Sequence, residues 1–178
     1  MTGGERPLKG GPESPGVTAS GMRLFLVQHG EAAAKELDPA RPLTASGRDD
    51  VARVAARLAA AGIRPPLILH SGKLRARQTA ELLAQVLGTR RVEARSGLDP
   101  DDAVAELADR LPGFECDTLI VGHLPFLARL VSLLLCGVPD VRRVRFRTGS
   151  VVCLARGDDG AWGLEWMLRP ELFSVPDA

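Results

Sequence analysis

The sequence predicts an α/β fold of three layers, αβα, around a mostly parallel central sheet that ends in a C-terminal antiparallel hairpin. Two observations carry this. Three apolar runs, Leu24–Val27, Pro66–Leu69 and Thr118–Val121, stop abruptly in Gln28-His29-Gly30, His70-Ser71 and Gly122-His123, and each leads into a stretch with helical spacing of apolar residues. Such runs suit strands buried on both faces, as in a parallel sheet covered by helices. The tail reads differently: Trp162, Leu164, Trp166 and Leu168 alternate with Gly163, Glu165 and Met167, and Gly157-Asp158-Asp159-Gly160 separates them from the run Ser150–Ala155. That is the pattern of a hairpin. In an open parallel sheet ligands bind beyond the carboxyl ends of the strands, so the polar endings of the three runs are predicted to converge on one crevice.

Taken in order, residues 1–21 are rich in Gly, Pro and Ser and lack the apolar stretch of a secretory signal, so a disordered leader is expected before one domain over 22–178. After the first strand, 32–40 is a polar connection to Arg41-Pro42-Leu43-Thr44. Thr44 suits the N-cap of a helix through Ala61, with Val51, Val54, Ala55, Leu58 and Gly62 at the spacing of one face. Gly62 stops it, and Pro65-Pro66 enforce extended chain. Ser71 is expected to cap a helix from about Lys73 to Leu87, with Leu74, Leu82, Leu83, Val86 and Leu87 inward and Gly88 as terminator. Arg75 falls in its first turn and projects toward the sheet's carboxyl edge. A short strand is predicted over Arg91–Ala94. Asp99-Pro100 reads as cap and first residue of a helix that places Val104, Leu107, Ala108 and Leu111 together and ends at Pro112. Asp117–Val121 is the next buried strand, and the helix from about Pro125 to Cys136 is apolar almost all round, a sign of burial.

Composition narrows the function classes. With 178 residues, 45% hydrophobic and 25% charged, the chain can bury a real core, and its net charge of +1 with interspersed signs supplies no field to recruit nucleic acid or an anionic membrane. The longest apolar stretch, Leu124–Cys136, is broken by Arg129 and too short to span a bilayer. Cys116, Cys136 and Cys153 lack the paired spacing of a zinc site and read as reduced core thiols of a cytoplasmic protein. A metal set drawn from His29, His70, His123 and Glu31 matches no known ligand spacing, so neither metal nor cofactor is expected. The run Arg142, Arg143, Arg145, Arg147 reads as a solvated segment. A monomer is expected.

Four motifs remain: Gln28-His29-Gly30-Glu31, Leu43-Thr44-x-x-Gly47, Ser71-x-x-Leu74-Arg75-Ala76-x-Gln78-Thr79 and Gly122-His123-Leu124-Pro125. In this order they resemble the histidine phosphatase superfamily, which has the phosphoglycerate mutase-like fold, and within it the small SixA-type phosphohistidine phosphatases, which share the Arg-Pro-Leu-Thr segment and lack the mutases' long inserted lid. The resemblance implies a phosphatase acting on phosphohistidine in a protein through a covalent phosphohistidine on His29. It implies that Arg75 grips two phosphoryl oxygens as a fork and that His123 donates a proton or charge to the same oxygens. Arg41 matches an arginine lying close to the phosphate in the small phosphatases. Gln28 and Gly30 complete the phosphate-binding set. The chemistry agrees: negative oxygens need cationic or N–H donors, and an imidazole nitrogen can take phosphorus covalently.

The chain departs from the family at two points. The superfamily signature is Arg-His-Gly, and Gln28 stands where the arginine belongs. Glutamine keeps an N–H donor but loses charge and fork, a loss of a few kcal/mol or roughly two to three powers of ten in rate unless Arg41 or another cation compensates. Phosphohistidine tolerates a weakened site better than an ester, since an imidazole leaving group with a pKa of about 6.5 needs less protonation than an alkoxide. The mutases also carry a carboxylate in an insertion between the second and third motifs, and no such insertion stands here. Glu31 is the nearest carboxylate to His29 in sequence, either a catalytic acid or a loop residue that pairs or caps. His70 reads as a satisfied core or rim histidine. The alternatives are a phosphatase for small phosphate esters, and a catalytically weakened phosphate-binding module.

Overall fold

The computed structural model describes residues 21–141 and 143–173. Apart from Gly21, the expected leader lies outside them, as does Arg142 of the basic run. Six strands, β1 (Arg23–Gln28), β2 (Leu67–His70), β3 (Arg91–Ala94), β4 (Thr118–Gly122), β5 (Val151–Arg156) and β6 (Trp162–Leu168), form one sheet in the order β3-β2-β4-β1-β5-β6. The first four run parallel, and β5 and β6 are antiparallel. The expected αβα architecture with its antiparallel hairpin is the one observed.

Two helices cover each face. Phe25, Val27, Ile68, Leu119 and Val121 point into a core closed by α1 (Ala45–Ala60) and α2 (Leu74–Leu87). Leu24, Leu26, Leu69 and Ile120 point into a second core closed by α3 (Val104–Ala108) and α4 (Phe126–Cys136). The chain moves outward from β1 through β2 to β3, then turns back to place β4 between β2 and β1. Right-handed crossovers put α1 and α2 on one face, and the reversal carries α3 to the other.

Thr44 is the N-cap of α1, accepting from the Gly47 amide at 2.9 Å, and Gly62 follows the helix with φ 74°. Gly88 ends α2 in the left-handed region, as predicted. Four details differ from expectation. Lys73, not Ser71, occupies the N-cap of α2. The inward face of α2 is the small set Ala76, Thr79, Ala80 and Ala84 with Leu83 and Leu87, while Val86 is 42% exposed. Small residues there let the helix lie close to the sheet. Asp99-Pro100 enters a turn, with the Asp99 amide bonded to Asp102 Oδ2 at 2.7 Å, so α3 is short and Pro112 sits in a separate 3-10 turn. In α4 only one side is fully buried, around Phe126, Leu127, Leu130 and Val131, and Cys136 is exposed, leaving Cys153 as the core thiol. Among the described residues no helix is long and apolar enough to cross a membrane.

Candidate active site

The site begins with sheet register. β1 and β4 pair in parallel up to Gln28 opposite Gly122, so His29 and His123 follow side by side on the face covered by α1 and α2. The His29 amide donates to the Gly122 carbonyl at 3.2 Å, and the two imidazole centroids stand 5.0 Å apart. The predicted convergence of two strand endings is therefore a consequence of one strand pairing.

His29 has a defined tautomer. Its Nδ1 lies 2.7 Å from the Gly30 carbonyl, which can only accept, so Nδ1 carries the hydrogen. Nε2 keeps its lone pair and accepts from Arg75 Nε at 3.1 Å. Burial, with the charges of Arg75 and Arg41 adding to it, pushes the His29 pKa down to about 4, so the ring is neutral at pH 7. This is the state a nitrogen nucleophile needs.

Arg75 is placed by α2, and the rest of its motif explains how. Thr79 Oγ1 donates to the Arg75 carbonyl at 2.7 Å and accepts the Gly30 amide at 3.0 Å, tying the helix to the loop that follows His29. Gln78 Oε1 accepts the Leu43 amide at 2.8 Å and pins the segment that carries Arg41. Arg41 has φ 53°, unusual for a residue with a side chain, and its Nε donates to the Ala33 carbonyl at 3.1 Å. Its charge pushes down the pKa of both His29 and Arg75, so it stands in the same field.

His123 is 2% exposed. Its Nε2 lies 2.6 Å from Ser71 Oγ, and its buried Nδ1 has no hydrogen-bond partner among the described residues. Burial, followed by the charges of His29, Arg75 and Lys73, pushes its pKa down to about 3. Among the described residues, Gln28 Oε1 is the other buried side-chain nitrogen or oxygen without a hydrogen-bond partner. An orphaned acceptor costs roughly 1–3 kcal/mol, and two orphans within one strand-end cluster mark a site rather than a finished core.

His29, Arg75, His123 and Arg41 are thus brought together, and others are not. The Gly30 amide is spent on Thr79, and a Cβ there would meet the Gly47 carbonyl at 2.9 Å, so this glycine serves close packing. Glu31 is exposed and its Oε2 accepts from Thr44 Oγ1 at 2.8 Å, which places it on the α1 cap. His70 Nδ1 accepts the Gly72 amide at 3.0 Å. Sequence reasoning passed over Lys73 and Asp99, joined at 3.0 Å, whose charges act on His123 from opposite directions. Asp99 is a carboxylate between the third and fourth motifs, held in a turn rather than in an insertion.

Comparison with known proteins bears on this geometry. A family profile described as histidine phosphatase superfamily (branch 1) matches residues 24–99. An uncharacterized protein of Picosynechococcus sp. is 33% identical over 123 residues, covering 65% of this chain and 74% of its own. Phosphohistidine phosphatase SixA of Escherichia coli is 27% identical over 155 residues, spanning 84% of this chain and 94% of SixA. The chain belongs to the histidine phosphatase superfamily. A solved structure of the protein histidine phosphatase SixA complexed with tungstate superposes with a TM-score of 0.76 at 27% identity, covering 86% of this chain and 100% of SixA. The matched stretch takes in His29, Arg41, Arg75 and, as its last residue, Asp99.

Proposed function

We propose that this histidine phosphatase superfamily member removes the phosphoryl group from phosphohistidine in a protein, using His29 as the nucleophile. The observation that carries the reading is the neutral His29 ring with its Nε2 lone pair directed at Arg75 and its centroid 5.0 Å from that of the buried His123 ring. Nε2 attacks phosphorus, the bond from phosphorus to the substrate imidazole breaks, and its electron pair leaves with that nitrogen, which takes up a proton. Arg75 passes from His29 Nε2 to the phosphoryl oxygens, where a charge-assisted fork is stronger than a bond to a neutral ring. The arriving negative charge raises the proton affinity of His123, turning it into a donor to the same oxygens. Water then attacks phosphorus, the bond to Nε2 breaks, and phosphate leaves with neutral His29 restored.

Two further points support phosphohistidine as substrate. One relative, SixA of Escherichia coli, is a phosphohistidine phosphatase, and a solved SixA structure holds tungstate, a tetrahedral oxyanion of phosphate shape. The neutral Gln28 in place of arginine is also best tolerated by a substrate whose leaving group needs little help. Incubating the protein with a phosphohistidine protein is expected to release phosphate and to trap acid-labile phosphate on His29, both lost in His29→Ala. Equal release by both forms would leave only the phosphate-binding module, and preferential turnover of small esters would favour the ester phosphatase.

A further inference from the structure

Resting on the phosphatase reading above, we propose that Lys73 binds the phosphoryl oxygens in place of the positive charge missing at Gln28, and that Asp99 holds it beside the pocket until an oxyanion arrives. The entry to α2 places three side chains at alternate positions. Ser71 contacts His123 Nε2 at 2.6 Å, Arg75 contacts His29 Nε2 at 3.1 Å, and Lys73 lies between them in sequence at the N-cap. The backbone of Lys73 is therefore anchored two residues from a contact to each imidazole. Its own side chain makes no cap and reaches instead to Asp99 Oδ2 at 3.0 Å.

The pair is built to open. Asp99 is fixed by its own turn, its amide bonded to Asp102, whereas Lys73 has a flexible four-carbon stem. The two side chains are 36% and 47% exposed, and a pair so exposed is worth about 0–1 kcal/mol. A charge-assisted bond to a phosphoryl group of about −2 is worth more, so the lysine exchanges partners at little cost. In the free protein the same pairing offsets a carboxylate that would otherwise repel phosphate. Lysine is a point charge without a fork, so it restores attraction and not the bidentate grip of arginine.

The plain alternative is a surface ion pair that joins α2 to the turn at 99–102, and calorimetric titration of inorganic phosphate into the full chain separates the two. Lys73→Met is expected to weaken phosphate binding at least tenfold, and Lys73→Arg to hold it within about threefold. Asp99→Asn is expected to tighten binding severalfold, because the lysine is released and the repelling charge removed. Melting temperatures of all forms report folding, and Lys73→Gln, expected to weaken binding as Lys73→Met does, carries the test if Lys73→Met fails to fold. Binding by Lys73→Met within twofold of the unaltered chain, or weaker binding by Asp99→Asn, overturns the proposal and leaves the phosphatase reading standing. An unaltered chain that binds no phosphate at all overturns that reading and the proposal with it.

Discussion

Arg75 donates its Nε–H to Nε2 of His29 across 3.1 Å, so the guanidinium rests on the very nitrogen that would attack phosphorus. The contact orients the His29 ring, and the proposed reaction requires it to be exchanged for phosphoryl oxygens when substrate binds. Lysine at this position keeps a charge but cannot hold a ring nitrogen and then fork across two oxygens. Arg75→Lys is expected to lower kcat/KM by about two to three powers of ten, the scale of losing a preorganised oxyanion donor, while the melting temperature changes little. Steady-state kinetics with a phosphohistidine protein would test this, and activity within fivefold of the unaltered chain would remove Arg75 from the site.

The half-buried His29 and the buried His123 make both rate and stability depend on pH. His29 is held at about 4 and His123 at about 3, burial being the largest cause in each, against 6.5 in the unfolded chain. Above about pH 6.5 folded and unfolded chains are alike in these rings and neither contributes to the pH dependence. As pH falls through 6.5 the unfolded chain takes up protons that the folded chain refuses, so stability drops with acid until the folded values are reached. The loss between about pH 7 and pH 5 is at most on the order of 2 kcal/mol per ring. Urea unfolding at the two pH values measures it. In the free protein the acid limb of kcat/KM is expected near pH 4 rather than 6.5, and phosphate should raise both ring pKa values in an NMR titration.

Gly47 reverses a familiar rule. Replacing a helical glycine with alanine ordinarily stabilises by about 1 kcal/mol. Here a Cβ would fall 2.2 Å from the Glu31 carbonyl oxygen and 2.8 Å from its amide nitrogen, both backbone atoms of the loop behind His29. Gly47→Ala is expected to destabilise by about 2 kcal/mol or more, the cost of overpacking against backbone. Stabilisation in a denaturant series would show that this loop gives way freely.

Sequence reading reached the strand endings because an apolar run that stops in His-Gly or Gly-His marks both the strand and the side chain it delivers. Thr44 and Gly88 were legible for a similar reason: caps are local chemistry, decided within one turn of helix. What depends on distant partners was not. A serine before a helix suits a cap as well as a bond to an imidazole 52 residues away, and only the packing of β2 beside β4 selects His123. Lys73 and Asp99 are 26 residues apart, and nothing in their types names each other as partners. On α2 the larger apolar residues, Val86 among them, read as the inward face, whereas the helix buries Ala76, Ala80 and Ala84 against the sheet. Glu31, adjacent to the nucleophile motif in sequence, is drawn away by the hydroxyl of Thr44.

Restoring the family arginine gives a prediction whose size depends on the background. If Gln28 simply lacks a charge that nothing replaces, Gln28→Arg should raise kcat/KM by roughly two to three powers of ten, and by the same factor in any variant. If Lys73 already supplies that charge, the two positions share one task and their effects cannot add. Gln28→Arg is then expected to raise kcat/KM less than about tenfold alone, and at least tenfold more than that when Lys73 is replaced by methionine. The new guanidinium enters beside the unpartnered Gln28 Oε1 position at the end of β1, where Gln28 is only partly buried, so the substitution relieves an orphaned acceptor rather than filling a closed core. The double-mutant cycle, measured as kcat/KM for phosphohistidine release, reads the coupling directly. Equal gains in both backgrounds would mean that Lys73 and Gln28 act on different oxygens or that Lys73 does not act on phosphate.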